Sequence, residues 1–130
     1  MRFDFEKLEV WQKAVDFSAE VYEVSKIFPK EEIFGMTMQL RRSAASIALN
    51  IAEGSGRHHK PEFVRFLRIA RGSLYEVVTA LFMCRNLKFI SEEVSRSLYT
   101  ESNEIARMIN GLINSLQRVD SGQQIVGRTR

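Results

Sequence analysis

An apolar pattern with the period of an α-helix, interrupted only three times before it fades near residue 119, limits this chain's fold more than any other feature. Leu8, Trp11, Val15, Ser18 and Tyr22 recur at steps of three and four, and Val10, Ala14, Phe17, Val21 and Val24 form a second line in the same segment. Met36, Leu40, Ile47 and Ile51 follow, accompanied by Met38, Ala45, Leu49 and Ala52. Then come Phe63, Leu67, Ala70, Leu74, Val77 and Leu81, and last Val94, Leu98, Ile105, Met108, Leu112 and Leu116. Such steps gather side chains on one side of a helix, whereas a half-buried strand needs strict alternation. No β-branched run bounded by turn residues competes with this pattern.

The interruptions are themselves helix punctuation. Phe28, Pro29 and Lys30 end the first segment, and Pro29 suits the first turn of the next helix, with Glu31 and Glu32 placed where the helix dipole favours acids. Gly54, Ser55 and Gly56 are expected to stop the second helix through a left-handed glycine. Pro61 and Glu62 open the third, and Ser91 with Glu92 and Glu93 opens the fourth. The expected helices cover 5–27, with Asp4 as cap, then 29–54, 61–86 and 91–119. Short connections predict an all-α, antiparallel up-down four-helix bundle over 1–119. After Val119 the chain turns polar and glycine-punctuated, so 120–130 reads as a flexible C-terminal tail.

Two apolar lines on each of the first two helices exceed what one bundle core can cover, which predicts a homo-oligomer. The total charge of +3 conceals an asymmetry. Between Arg41 and Arg71 lie Arg41, Arg42, Arg57, Lys60, Arg65, Arg68 and Arg71, opposed only by Glu53 and Glu62, a net of +5 that leaves the rest of the chain at −2. Arg65, Arg68 and Arg71 share one face of the third helix. Clustered cations invite a polyanion, RNA or DNA, although ion pairs on a solvated face would give the same pattern. Aromatic residues are not interleaved on that face, so base stacking is not expected.

The second helix carries a polar line, Gln39, Ser43, Ser46, Asn50 and Glu53, that ends at Arg57. It reads as a recognition stripe or a polar seam between subunits, with Glu76 as a further acid, or else as a solvated face. Nothing else resembles a site. Glu53 and Glu76 form no recognisable catalytic pair. His58 and His59 are adjacent in a loop and lack the Glu-x-x-His spacing of di-metal bundles. Cys84 is alone among apolar neighbours. No catalytic residue, metal, cofactor or small-molecule substrate is expected, and neither a leader peptide nor a membrane span is visible, which predicts a cytoplasmic protein.

Several stretches resemble a known family. Leu8, Glu9, Val10 and Trp11, then Phe28 and Pro29 with Glu32, and Gln39 to Arg42 carry part of the likeness. The most specific stretch is Ser46 and Ile47 with Asn50 to Gly54, Gly56 and Arg57, followed by Phe63, Phe66, Ala70, Gly72, Ser73 and Glu76. Together they resemble the bacterial four-helix-bundle proteins encoded in intervening sequences of 23S rRNA genes, often labelled S23 ribosomal protein. They are similar also to the accessory protein of diversity-generating retroelements. The resemblance implies a ring-like homopentamer, no attached enzymatic activity, an unsettled role and, for the second relative, nucleic-acid binding. It also leaves the third helix without the serine cap that relatives often carry, since His58, His59, Lys60 and Pro61 stand there.

Overall fold

A computed structural model describes residues 3–128, with side chains described through Arg118. Four α-helices, and no strand among the described residues, account for the fold: α1 Glu9–Ser25, α2 Met36–Ser55, α3 Lys60–Asn86 and α4 Glu92–Arg128. Single 3-10 turns at Asp4–Lys7 and Lys30–Glu32 precede α1 and α2. Each helix packs on its sequence neighbour and α1 also meets α4, so the four close around one core. Phe17, Leu40, Ile47, Leu67, Leu74, Leu98, Ile105 and Ile109 are its most enclosed members.

The helix borders differ from expectation where capping is concerned. Asp4 begins a 3-10 turn instead of capping α1; the residue before α1 is Leu8, in extended conformation and without a side-chain cap. Pro29 likewise starts only a 3-10 turn, and α2 begins at Met36, whose amide donates to Glu32 Oε1 at 3.0 Å. Among the described residues the left-handed ones are His58 (φ 54°) and Lys88 (φ 64°), not glycines. Gly54 serves packing: a Cβ there would stand 2.6 Å from Phe66 Cβ and 3.0 Å from Phe63 Cδ1, so its bare backbone lets α2 approach α3. His59 precedes α3 without capping it through its side chain. Ser91 does cap α4, its Oγ accepting from Val94 N at 3.1 Å. Helical backbone continues past Val119 to Arg128, because the glycines there weaken a helix without the steric block of proline.

On α1 and α2 one of the two apolar lines lies in the core, while the other is only partly covered: Leu8 and Trp11 still pack against the core, and Ala45 and Ala52 are half-buried. Val10, Ala14, Phe17 and Val21 lie in the core, while Val15 and Tyr22 are exposed. Leu40, Ile47 and Ile51 are fully enclosed, while Met38 is 44% and Leu49 67% exposed. No helix among the described residues is long and apolar enough to cross a membrane.

Candidate nucleic-acid interface

The seven cations singled out in the sequence do not form one continuous patch. Arg41 is drawn against the end of α1: its Nε donates to Ser25 Oγ at 2.7 Å, its Nη2 donates to the Tyr22 carbonyl at 3.3 Å, and its guanidinium lies 4.0 Å above the Tyr22 ring. There it satisfies a carbonyl at a helix C-terminus, a place that favours cations. Arg42 is exposed and donates to Gln39 Oε1 at 3.3 Å.

A second group gathers where α2 hands over to α3. Arg57 pairs with Glu53 at 3.1 Å, and Arg65 holds Glu62 through both carboxylate oxygens, at 3.1 and 3.2 Å. The hydrogen bonds from Arg65 hold the Glu62 carboxyl below its ordinary range. Both guanidiniums also lie near the Phe66 ring, at 5.0 and 4.6 Å. Lys60, at the start of α3, is exposed. The charges of Arg57 and Arg65 are therefore compensated within the chain, at exposed pairs that contribute little stability.

Arg68 and Arg71 are different. Both belong to the outer side of α3; Arg68 is exposed, and Arg71 donates to Asn110 Oδ1 of α4 at 2.8 Å. Neither is paired with a carboxylate among the described residues. Farther along the same side stand Tyr75 and Phe82, 58% and 44% exposed. Aromatic residues are thus not interleaved with the arginines, but they follow them directly on the same face. Counting on from Arg68 and Arg71 in steps of three and four reaches Tyr75, Thr79 and Phe82, so the signal was in the sequence but lay beyond the basic segment.

The polar line of α2 is used within the chain. Gln39 Nε2 donates to Ser43 Oγ at 3.3 Å, and Ser43 Oγ donates to Glu76 Oε1 at 3.1 Å. Ser46 and Ser73 hydroxyls meet at 2.8 Å, and Asn50 Nδ2 donates to the Ser46 carbonyl and hydroxyl at 2.8 and 2.9 Å. These residues form a partly buried seam between α2 and α3, where small hydroxyls permit a close crossing and leave no buried side-chain polar atom unpartnered among the described residues. Glu53 stands outside the seam, in its pair with Arg57.

One strongly shifted carboxyl escaped sequence reasoning. Glu101 of α4 is pushed up to about 7 by burial, by its hydrogen bond with Glu20 of α1 and by the charge of Glu20; Lys13 opposes the shift and Glu104 adds to it. Lys13 also pairs with Glu104 at 3.6 Å. No period announces such a cluster, since it depends on how α1 and α4 meet. Among the described residues no group of three or more His, Cys, Asp or Glu side chains is arranged to hold a metal ion.

The model of the 23S rRNA-intervening sequence protein family matches residues 6–111, from before α1 into the second half of α4. The chain belongs to that family. Among solved structures, a crystal structure from Bacteroides thetaiotaomicron, described as a protein of unknown function from the S23 ribosomal protein family, is similar to it. The two are 26% identical, with a TM-score of 0.75 over 80% of this chain and 97% of that one. No curated protein matches. Membership of the intervening-sequence family thus accounts for the four helices, and it brings no described catalytic activity with it.

Proposed function

We propose that this intervening-sequence protein is a non-enzymatic, oligomeric bundle that binds nucleic acid, RNA foremost, through a basic surface. The observation that carries the reading is the pair Arg68 and Arg71, one helical turn apart on the outer side of α3 and, among the described residues, with no carboxylate partner. Arginines in that condition are available to phosphate. Arg42 and the Arg57 to Arg65 group border the same helices and would extend the field. An up-down helix order is supported by the pairing of Ser43 with Glu76 and Ser46 with Ser73, in which numbers rise on α2 as they fall on α3. Oligomerisation, as the ring of five that the family resemblance implies, is supported by the exposed Val15 and Tyr22 of α1 and Met38 and Leu49 of α2. A ring would repeat the basic surface and multiply its attraction for a polyanion. A cytoplasmic location fits a nucleic-acid ligand.

The test is fluorescence anisotropy of labelled RNA across a salt series. Affinity should fall steeply with salt, and Arg68→Ala with Arg71→Ala should weaken every RNA about equally while reducing the slope. The pair Arg57→Ala and Arg65→Ala should act more weakly, since each guanidinium already faces a carboxylate. Absence of binding to RNA and DNA at low salt would overturn the reading. A protein scaffold is the second reading, favoured by the exposed Met38 and Leu49; it predicts self-association without any salt-dependent RNA binding.

A further inference from the structure

Between α3 and α4 the bundle surface opens into a groove. Two adjoining cavities of about 290 and 320 Å³ share Tyr99 of α4, and Tyr75 of α3 stands at the far one. Leu74 and Leu81, both buried, form part of the lining. Tyr75 is 58% and Tyr99 42% exposed, far more than packing alone explains for two tyrosines on neighbouring helices. Phe82 meets Tyr99 nearly edge to face, with centroids 6.0 Å apart at 77°, and carries Arg85 with its guanidinium 5.0 Å above the ring.

The charge around this groove is one-sided. Arg85 lines one cavity, and Arg68 and Arg71 lie on α3 beyond the other; none of the three is paired with a carboxylate among the described residues. The acid lining the groove, Glu92, is already matched by Arg96 at 3.5 Å. An apolar partner helix would gain little from three uncompensated arginines, whereas a strand of unpaired nucleotides offers flat bases to the tyrosines and phosphates to the cations. A duplex keeps its bases stacked inside and cannot use the rings. Thr79 and Asn103 lie in the same groove, hydrogen-bonding groups that suit the ribose hydroxyl of RNA.

Resting on the nucleic-acid reading above, we propose that the α3–α4 groove holds single-stranded RNA, with bases stacked on Tyr75 and Tyr99 and phosphates met by Arg68, Arg71 and Arg85. The groove then separates two classes of RNA that a basic surface alone would treat alike.

Anisotropy at low salt with a short unstructured pyrimidine RNA and an RNA duplex of equal length tests this. Tyr75→Ala with Tyr99→Ala should weaken the single strand roughly 10- to 100-fold, the scale expected for lost base stacking, and leave the duplex unchanged. Tyr75→Phe with Tyr99→Phe should bind as the wild type does. Asn103→Glu, an exposed substitution that leaves both rings in place, should also weaken the single strand selectively. Wild-type affinity of the alanine pair and of Asn103→Glu for the single strand would overturn the groove while leaving nucleic-acid binding intact. A wild-type protein that binds neither RNA removes the parent reading and this one with it. A smaller sedimenting mass for the alanine pair would show that a second copy occupies the groove, which also overturns the inference.

Discussion

Gly54 and Gly72 both sit inside long helices, yet substitution should move them in opposite directions. Alanine at 54 would push its methyl group to 2.6 Å from Phe66 Cβ, which belongs to a helix that cannot step aside cheaply. Gly54→Ala should therefore lower unfolding stability by about 1–3 kcal/mol, as overpacking usually does. At Gly72 a methyl group would meet nothing within 4 Å, so Gly72→Ala should raise stability by about 0.5–1 kcal/mol through the helix propensity alone. Urea denaturation of the two variants checks both signs. Glu101 gives a prediction with pH. The folded protein keeps this proton up to about 7, while the unfolded chain releases it near the ordinary 4.5. The fold binds more protons over that window, so stability present at lower pH is lost as pH rises through about 7. Glu101→Gln should flatten this decline and melt higher than the wild type at the upper end of the window. Parallel melting curves for the two proteins across the window would refute it.

A helix is written in the sequence as a period, and α2 shows both how far that goes and where it stops. Its seam with α3 yields a prediction: Ser46→Ala and Ser73→Ala should each cost about 1 kcal/mol, and the double variant less than their sum. The reason is that each single variant removes the same Ser46–Ser73 hydrogen bond, so the second removal finds it already gone. A double-mutant cycle by denaturant unfolding measures that coupling. The apolar lines of the four segments, the breaks between them and the Ser91 cap were legible because they depend only on neighbours within a turn. The choice between the two lines of α2 was not, since Leu40, Ile47 and Ile51 differ from Met38, Ala45 and Leu49 in direction, not in chemistry. The same limit governs the candidate site. Spacing put Arg65, Arg68 and Arg71 on one face, but that Arg65 is tied to Glu62 while Arg71 reaches Asn110 of α4 depends on rotamers and on the register between helices. Gly54 looked like a stop and is a contact, because the demand for a bare backbone comes from Phe66 on another helix.

For the molecule as a whole, the exposed Val15, Tyr22, Met38 and Leu49 mean that one chain leaves apolar surface uncovered. Sedimentation of the wild type should report several chains per particle, and Met38→Glu with Leu49→Glu should reduce it to one while preserving the helical circular dichroism. A wild-type monomer would refute this. Cys84, fully buried in α3, offers another whole-molecule observable, because burial pushes its thiol up to about 11 and the nearby charge of Glu32 adds to the shift. With neither access nor thiolate, the sulfur is silent toward alkylating reagents in the folded state. Labelling then proceeds only as fast as α3 is prised from its neighbours, so a single maleimide time course would clock the opening of the bundle in the native protein, with no denaturant.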